Sequence, residues 1–217
     1  LDRPGDRKSG DIRGVETEGP DGVANGLADV SGHGLPAGML TPLLSRSLRG
    51  VRADDGGPAD PSAVLDQANR DLLALDLEQG QFATALSARY DAATRELRYA
   101  RAGHPPAILL REGMAPRRLA ANGMVLGAMA AVSCPTESVA LQPGDRVLVF
   151  SDGLEALLCF GDADASAGEL EHTAWYRDLA EMSADAILAD VSARLGRAAW
   201  CSHTADDVAL IVLTVTA

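Results

Sequence analysis

The sequence predicts an α+β fold. Three observations carry this. Short apolar runs follow one another closely at residues 82–90, 97–102 and 107–110, separated by turn signals, which argues for antiparallel sheet. Blocks at helical spacing lie to either side, at 36–51, 60–76 and 175–195. Strands and helices do not alternate one for one, which argues against a doubly wound βαβ sheet.

Taken in order, residues 1–10 are polar and are expected to fray, and Leu1 reads as the start of a fragment. Asp11-Ile12-Arg13-Gly14-Val15 reads as the end of a strand, and Pro20-Asp21-Gly22 turns the chain into a second strand that leads to Asp29. In Gly26-Leu27-Ala28-Asp29-Val30-Ser31-Gly32-His33-Gly34-Leu35-Pro36-Ala37 an apolar run ends at an acid, glycines frame a loop, and Pro36 suits the first turn of a helix. The leucines and small residues of 36–51 continue that helix. Arg52–Pro61, rich in Asp, Gly and Pro, reads as a loop whose Asp60-Pro61 caps and opens the next helix. Val64, Ala68, Leu72 and Leu75 give that helix an apolar face.

Beyond the three central strands, Glu137–Leu141 and Arg146–Ser151 are expected to pair as a hairpin around Gln142-Pro143-Gly144-Asp145, with Asp145 a turn acid. Cys159–Glu171 is acidic and small, so it reads as a mobile surface loop. Two helices follow, Trp175–Met182 and Ala184–Leu195, the second capped by Ser183 and ended by Gly196. Its Ile187, Leu188, Val191 and Leu195 share a face. Val208–Val215 is apolar enough for a buried closing strand.

At 217 residues the chain can bury a sizeable core, and no linker or repeat divides it, so 1–217 is expected to be one domain. A net charge of −12 argues against nucleic acid and anionic membrane as partners, since both select basic clusters. No apolar run approaches the roughly 18 residues of a membrane span. The polar, mixed-charge start shows no signal peptide. Three cysteines (Cys134, Cys159, Cys201) lack metal-like spacing and point to a reducing, cytoplasmic compartment.

Four acidic motifs share one setting: Ser9-Gly10-Asp11, Asp29-Val30-Ser31-Gly32, Ser151-Asp152-Gly153 and Ala205-Asp206-Asp207. Asp29 and Asp152 each follow an apolar strand, and Asp206-Asp207 directly precede one. Carboxylates gathered at one rim repel each other unless a cation neutralises them. Hard oxygen ligands without paired His or Cys suit Mg²⁺ or Mn²⁺. Four unrelated turn aspartates would give the same pattern, so the residues alone leave both readings open.

The motifs also occur in a familiar order: Asp29-Val30-Ser31-Gly32-His33-Gly34, Ala102-Gly103-His104-Pro105-Pro106, Pro143-Gly144-Asp145 leading to Ser151-Asp152-Gly153, then Asp206-Asp207. Together they resemble the metal-dependent, type 2C-like (PPM) serine/threonine protein phosphatases. The resemblance is to the bacterial branch of sporulation stage II phosphatases and environmental-stress sigma-factor regulators, and it runs from Ser9 to Val215. It implies two packed antiparallel β-sheets flanked by α-helices, a four-layer αββα sandwich, with two Mn²⁺ or Mg²⁺ at one edge. Carried over by motif, Asp29 bridges both ions and the Val30 carbonyl assists. Asp152 and Asp206 hold one ion and Asp11 the other, partly through water. The implied reaction is hydrolysis of phosphoserine or phosphothreonine by a two-metal-activated water, with Asp29 and Asp152 as the catalytic residues. The implied substrate is a phosphorylated anti-sigma-factor antagonist, with a sensor domain or regulatory protein acting through helices 36–51 and 60–76. The chain is then the catalytic part of something longer.

No cysteine has an arginine six positions on, which excludes a thiolate phosphatase loop. Asp162-Ala163-Asp164, superficially an aspartyl-nucleophile motif, follows no buried strand. His33 and His104 read as turn-fixing residues, and Asp207 as a solvated neighbour of Asp206. Arg13, two residues after Asp11 on an extended chain, is a candidate clamp for the substrate phosphate, against the plainer reading of a solvated arginine. Two departures from the branch stand out: Gly14 occupies the place of a second aspartate, and Glu155 comes three residues after Asp152 where an acid at four is usual. They motivate a rival reading, a catalytically weak or inactive regulatory module.

Overall fold

The structure is a computed structural model that describes residues 2–3, 12–17, 22–30, 35–50, 59–75, 82–159, 170–198 and 208–216. In chain order its elements are β1 (Asp2–Arg3), β2 (Ile12–Thr17), β3 (Gly22–Val30), α1 (Leu35–Gly50), α2 (Pro61–Leu73), β4 (Ala83–Asp91), β5 (Glu96–Ala102), β6 (Ala107–Leu110), β7 (Arg117–Leu119), β8 (Glu137–Ala140), β9 (Arg146–Phe150), α3 (Asp152–Cys159), α4 (Ala174–Asp178), α5 (Ala184–Ala198) and β10 (Val208–Thr214). Single 3₁₀ turns lie at Leu170–His172 and Leu179–Glu181. The α+β class holds: the strands form two antiparallel five-stranded sheets, one in each of two compact units.

The α1/α2 unit, residues 6–106 and 120–141, carries the sheet β2-β3-β4-β5-β8. One sheet face is lined by Ala28, Ala83, Ala85, Ala100 and Ala102, which pack with Leu40 and Leu44 of α1 and Leu65, Ala68 and Leu72 of α2. Alanines on the strands let the leucine-bearing helices seat closely against the sheet. Gly26 extends this fit, since a Cβ there would meet Leu48 Cβ at 3.3 Å. Asp60 caps α2 by accepting the Ser62 N–H at 3.1 Å, and also accepts from the Thr136 hydroxyl and Arg98. The expected apolar face holds at Val64, Ala68 and Leu72. Leu75 departs from it: α2 ends at Leu73, and Leu75 is exposed.

The α3/α5 unit, residues 1–5, 107–119 and 142–217, carries the sheet β1-β10-β9-β6-β7. Its core joins Ile108, Leu148, Phe150 and Leu210 from the strands to Leu154, Trp175, Ile187, Val191 and Leu195 from the helices. The Ala186 N–H donates to Ser183 Oγ at 3.2 Å, the expected cap of α5. Gly196 does not stop the helix, which runs to Ala198. Residues 175–182 are not one helix but α4 followed by a 3₁₀ turn. In β10 only Val208, Ala209 and Leu210 are buried, so its second half is less enclosed than its composition predicts.

The expected hairpin does not form. β8 pairs with β5, whereas β9 pairs with β6 and β10. Gln142–Asp145 therefore takes the chain out of one sheet and into the other. Asp145 is accordingly no solvated turn acid. Only 1% exposed, it accepts from Arg111 Nε (2.9 Å), Arg111 Nη (2.6 Å) and the Gln142 N–H (2.8 Å). Most of the acidic loop expected over Cys159–Glu171 lies outside the described residues; of its last two residues, Leu170 is fully buried and Glu171 exposed.

Candidate active site

Strand β3 is paired along both edges, with β2 and with β4, and Asp29 and Val30 are its last two residues. Because side chains alternate along a strand, Ala28 and Val30 go to the helix-covered face and Asp29 to the other. Val30 is buried and Asp29 half-buried. The partner of Asp29 in the ladder is Thr84, whose hydroxyl oxygen lies 2.9 Å from His104 Nδ1. His104 is fully buried, which agrees with a structural role.

The Ser-Asp-Gly motif sits in the other unit. β9 ends at Phe150, and the next residue, Ser151, is locked to β10: its N–H donates to the Ala209 carbonyl (3.1 Å) and its Oγ accepts the Ala209 N–H (2.9 Å). The Ser151 carbonyl then accepts the Leu154 N–H at 3.0 Å, starting α3. Asp152 is the exposed first residue of that helix, where the N-terminal dipole favours negative charge. Glu155, one turn on, pairs with Arg118 at 3.0 Å, and Arg118 also holds Glu171. Burial raises the Glu155 carboxyl above its ordinary value; Arg118 opposes this, and the charges of Glu171 and Asp152 add to it. The shifted acid is thus engaged by an arginine from β7, a partnership with no local signal in the sequence.

Arg13 lies on β2 in register with Leu27. Asp11, Asp206, Asp207 and His33 lie outside the described residues. Among the described residues no group of three or more His, Cys, Asp or Glu forms a metal site. Each described donor expected as a ligand is, taken singly, a hard oxygen of the kind that suits such a cation: the half-buried Asp29 carboxylate, the exposed Asp152 carboxylate and the Val30 carbonyl.

Solved structures share this fold. The SiaA-PP2C domain of Pseudomonas aeruginosa matches with a TM-score of 0.75 at 21% identity, over 99% of this chain and 84% of that one. RsbX in complex with magnesium matches with a TM-score of 0.67 at 15% identity, over 98% of this chain and 90% of that one. The fold is that of PP2C-type phosphatase domains. Residues 19–216 match the family described as Stage II sporulation protein E (SpoIIE), and the chain belongs to that family. Two curated relatives are the phosphoserine phosphatases RsbU and RsbP of Bacillus subtilis (strain 168). RsbU is 29% identical over 129 residues, 59% of this chain and 37% of the relative. RsbP is 25% identical over 128 residues, 59% of this chain and 32% of the relative. The chain thus spans about a third of the length of the curated relatives it matches.

Proposed function

We propose that this chain is a single catalytic domain that hydrolyses phosphoserine or phosphothreonine on a protein, using two Mn²⁺ or Mg²⁺ ions. The observation that carries this reading is the placement of Asp29 at the end of a doubly paired strand within a chain that belongs to the SpoIIE family. Asp29, the Val30 carbonyl and Asp152 hold the ions, together with Asp11 and Asp206. Bound there, divalent cations supply the activation of water and the neutralisation of phosphoryl charge that in-line hydrolysis requires.

The chain's own residues set the geometry. β3 fixes the level and face of Asp29, and the Ser151 anchor on β10 fixes the start of α3 and hence Asp152. Arg13 orients the substrate phosphate. The relatives that are phosphoserine phosphatases, and the magnesium complex of RsbX, support the reading. In this reading the substrate is a phosphorylated anti-sigma-factor antagonist in the cytoplasm; among the described residues no helix is long and apolar enough to cross a membrane. A sensor domain or regulatory protein controls the reaction.

Phosphate release from p-nitrophenyl phosphate and from a phosphoserine peptide, with Mn²⁺ and with chelator, tests the proposal. We expect turnover with Mn²⁺, none with chelator, and a loss of at least about 100-fold in kcat for Asp29→Asn. Turnover that survives chelation overturns the metal mechanism. Mn²⁺ binding without turnover of either substrate favours the regulatory module instead.

A further inference from the structure

Asn69 of α2 is buried, and its amide is spent on a neighbouring segment of main chain. Its Oδ1 accepts the Gly127 N–H (2.8 Å) and its Nδ2 donates to the Met129 carbonyl (3.1 Å). The turn so latched begins at Gly127, which takes φ +85°. The residue before it, the fully buried Leu126, exchanges two hydrogen bonds with Ala83. The Ala83 N–H donates to the Leu126 carbonyl (2.9 Å) and the Leu126 N–H to the Ala83 carbonyl (2.8 Å). Leu126 thus occupies the edge of β4 ahead of Leu86, where the ladder with β5 starts.

These two bonds decide what β4 offers to β3 at this level. A strand residue sends its N–H and its C=O to the same side, so Ala83, bonded to Leu126 through both, turns neither towards β3. Its pair with Val30 is therefore of the non-hydrogen-bonded kind, and the Val30 carbonyl points away from β4. On that far side the described ladder with β2 ends at Ala28. Val30 is kept at its level by the pairing of Asp29 with Thr84 and by packing. It shares one apolar cluster with Ala83, Leu126 and the α2 residues Leu65, Ala68 and Leu72.

We propose that Asn69 is a positioning residue for the Val30 carbonyl. Its amide latches Gly127 and Met129 to α2, the latched turn holds Leu126 against Ala83, and Ala83 forms the end of β4 on which Val30 packs. The latch needs a side chain that accepts from one main-chain group and donates to another, which an amide does and an ionised carboxylate or an apolar side chain does not. This role rests on the metal-dependent reading above, in which the Val30 carbonyl is a ligand. It adds a residue outside the ligand set that fixes where that carbonyl stands.

The test is Mn²⁺ binding without substrate, followed by calorimetry and by the electron paramagnetic resonance of free Mn²⁺, at a temperature where melting curves show each variant folded. Asn69→Leu is close in size and suits a helix, but removes both bonds of the latch. It should weaken Mn²⁺ binding by about 3- to 30-fold, the range for residues that touch no ligand yet bias a site. Gly144→Ala, which strains a turn with φ +90° away from the latch in sequence, is the control. It should lose stability and keep its Mn²⁺ affinity. If Asn69→Leu does not fold, Gly127→Ala, which strains the latched turn itself, decides by the same criterion. Undiminished affinity in the deciding variant, with Asp29→Asn losing Mn²⁺, overturns the role of Asn69 and leaves the metal reading standing. An equal loss in Gly144→Ala overturns it as well, because general destabilisation then suffices. Failure of the wild type itself to bind Mn²⁺ overturns both.

Discussion

Asp145 and Arg111 form the most enclosed ion pair that we describe, with side-chain exposures of 2% and 27%. Burial alone would raise the Asp145 carboxyl, but hydrogen bonds from Arg111 and the Gln142 N–H, with the charges of Arg111 and Arg146, hold it below its ordinary value. A depressed carboxyl stabilises the fold above its unfolded pKa of about 3.9, and that contribution is lost as pH falls through the lower folded value. Asp145→Asn leaves Arg111 without its counter-charge and should cost about 3–5 kcal/mol in urea unfolding at neutral pH. The deficit relative to wild type should shrink in acid below about pH 4. Gly123 makes a second single-residue case. A Cβ there would lie 1.7 Å from the Arg101 carbonyl oxygen, so Gly123→Ala must displace backbone. Gly144 has φ +90° but open space around it. We expect Gly144→Ala to cost about 1–2 kcal/mol by strain alone and Gly123→Ala clearly more, both read by urea unfolding.

Among the elements, α2 depends on one carboxylate at its start. Asp60→Ala removes the bond to the Ser62 N–H and the contacts with Thr136 and Arg98, so the loss should reach or exceed the roughly 1–2 kcal/mol of an ordinary cap. Thermal unfolding measures it. This helix was legible in the sequence because capping and 3.6-residue periodicity are local properties: Asp60, Pro61 and the Val64–Ala68–Leu72 stripe lie within four turns of one another. The hairpin was not legible. Glu137–Leu141 and Arg146–Ser151 are close in sequence and separated by Pro143-Gly144, yet β8 takes its partner from β5, at Glu96–Tyr99, and β9 from β6 and β10. Turn chemistry marks where a chain bends and is silent about which sheet it joins. The candidate site divides in the same way. Asp29 was legible as the acid at the end of an apolar strand, and Asp152 as the acid that follows one. The partners that hold their neighbourhood, Thr84 with His104 and Arg118 with Glu155, are 20 and 37 residues apart in sequence, and only the fold brings them together.

At the scale of the molecule, the proposed metal reading makes a prediction for a chain of net charge −12: carboxylates that share a cation repel one another until it binds. A ligand that binds only the folded state stabilises it by about 4 kcal/mol at a thousand times its Kd. For a protein of this size that corresponds to about 8–16 °C in Tm. Saturating Mn²⁺ should therefore raise Tm by about 10 °C in scanning calorimetry, chelator should reverse the gain, and Asp29→Asn should abolish most of it.

The path of the chain also governs how it leaves the ribosome. β5 is complete at Ala102, but the strand that covers its outer edge, β8, is not made until Glu137–Ala140, and the chain contributes β6 and β7 to the other sheet in between. For the whole of that interval a nascent polypeptide displays the main-chain donors and acceptors of β5 to its surroundings, a template for unwanted pairing. A released chain truncated near residue 120 should consequently aggregate or recruit chaperones, and extending it to residue 141, which adds β8, should lessen that tendency.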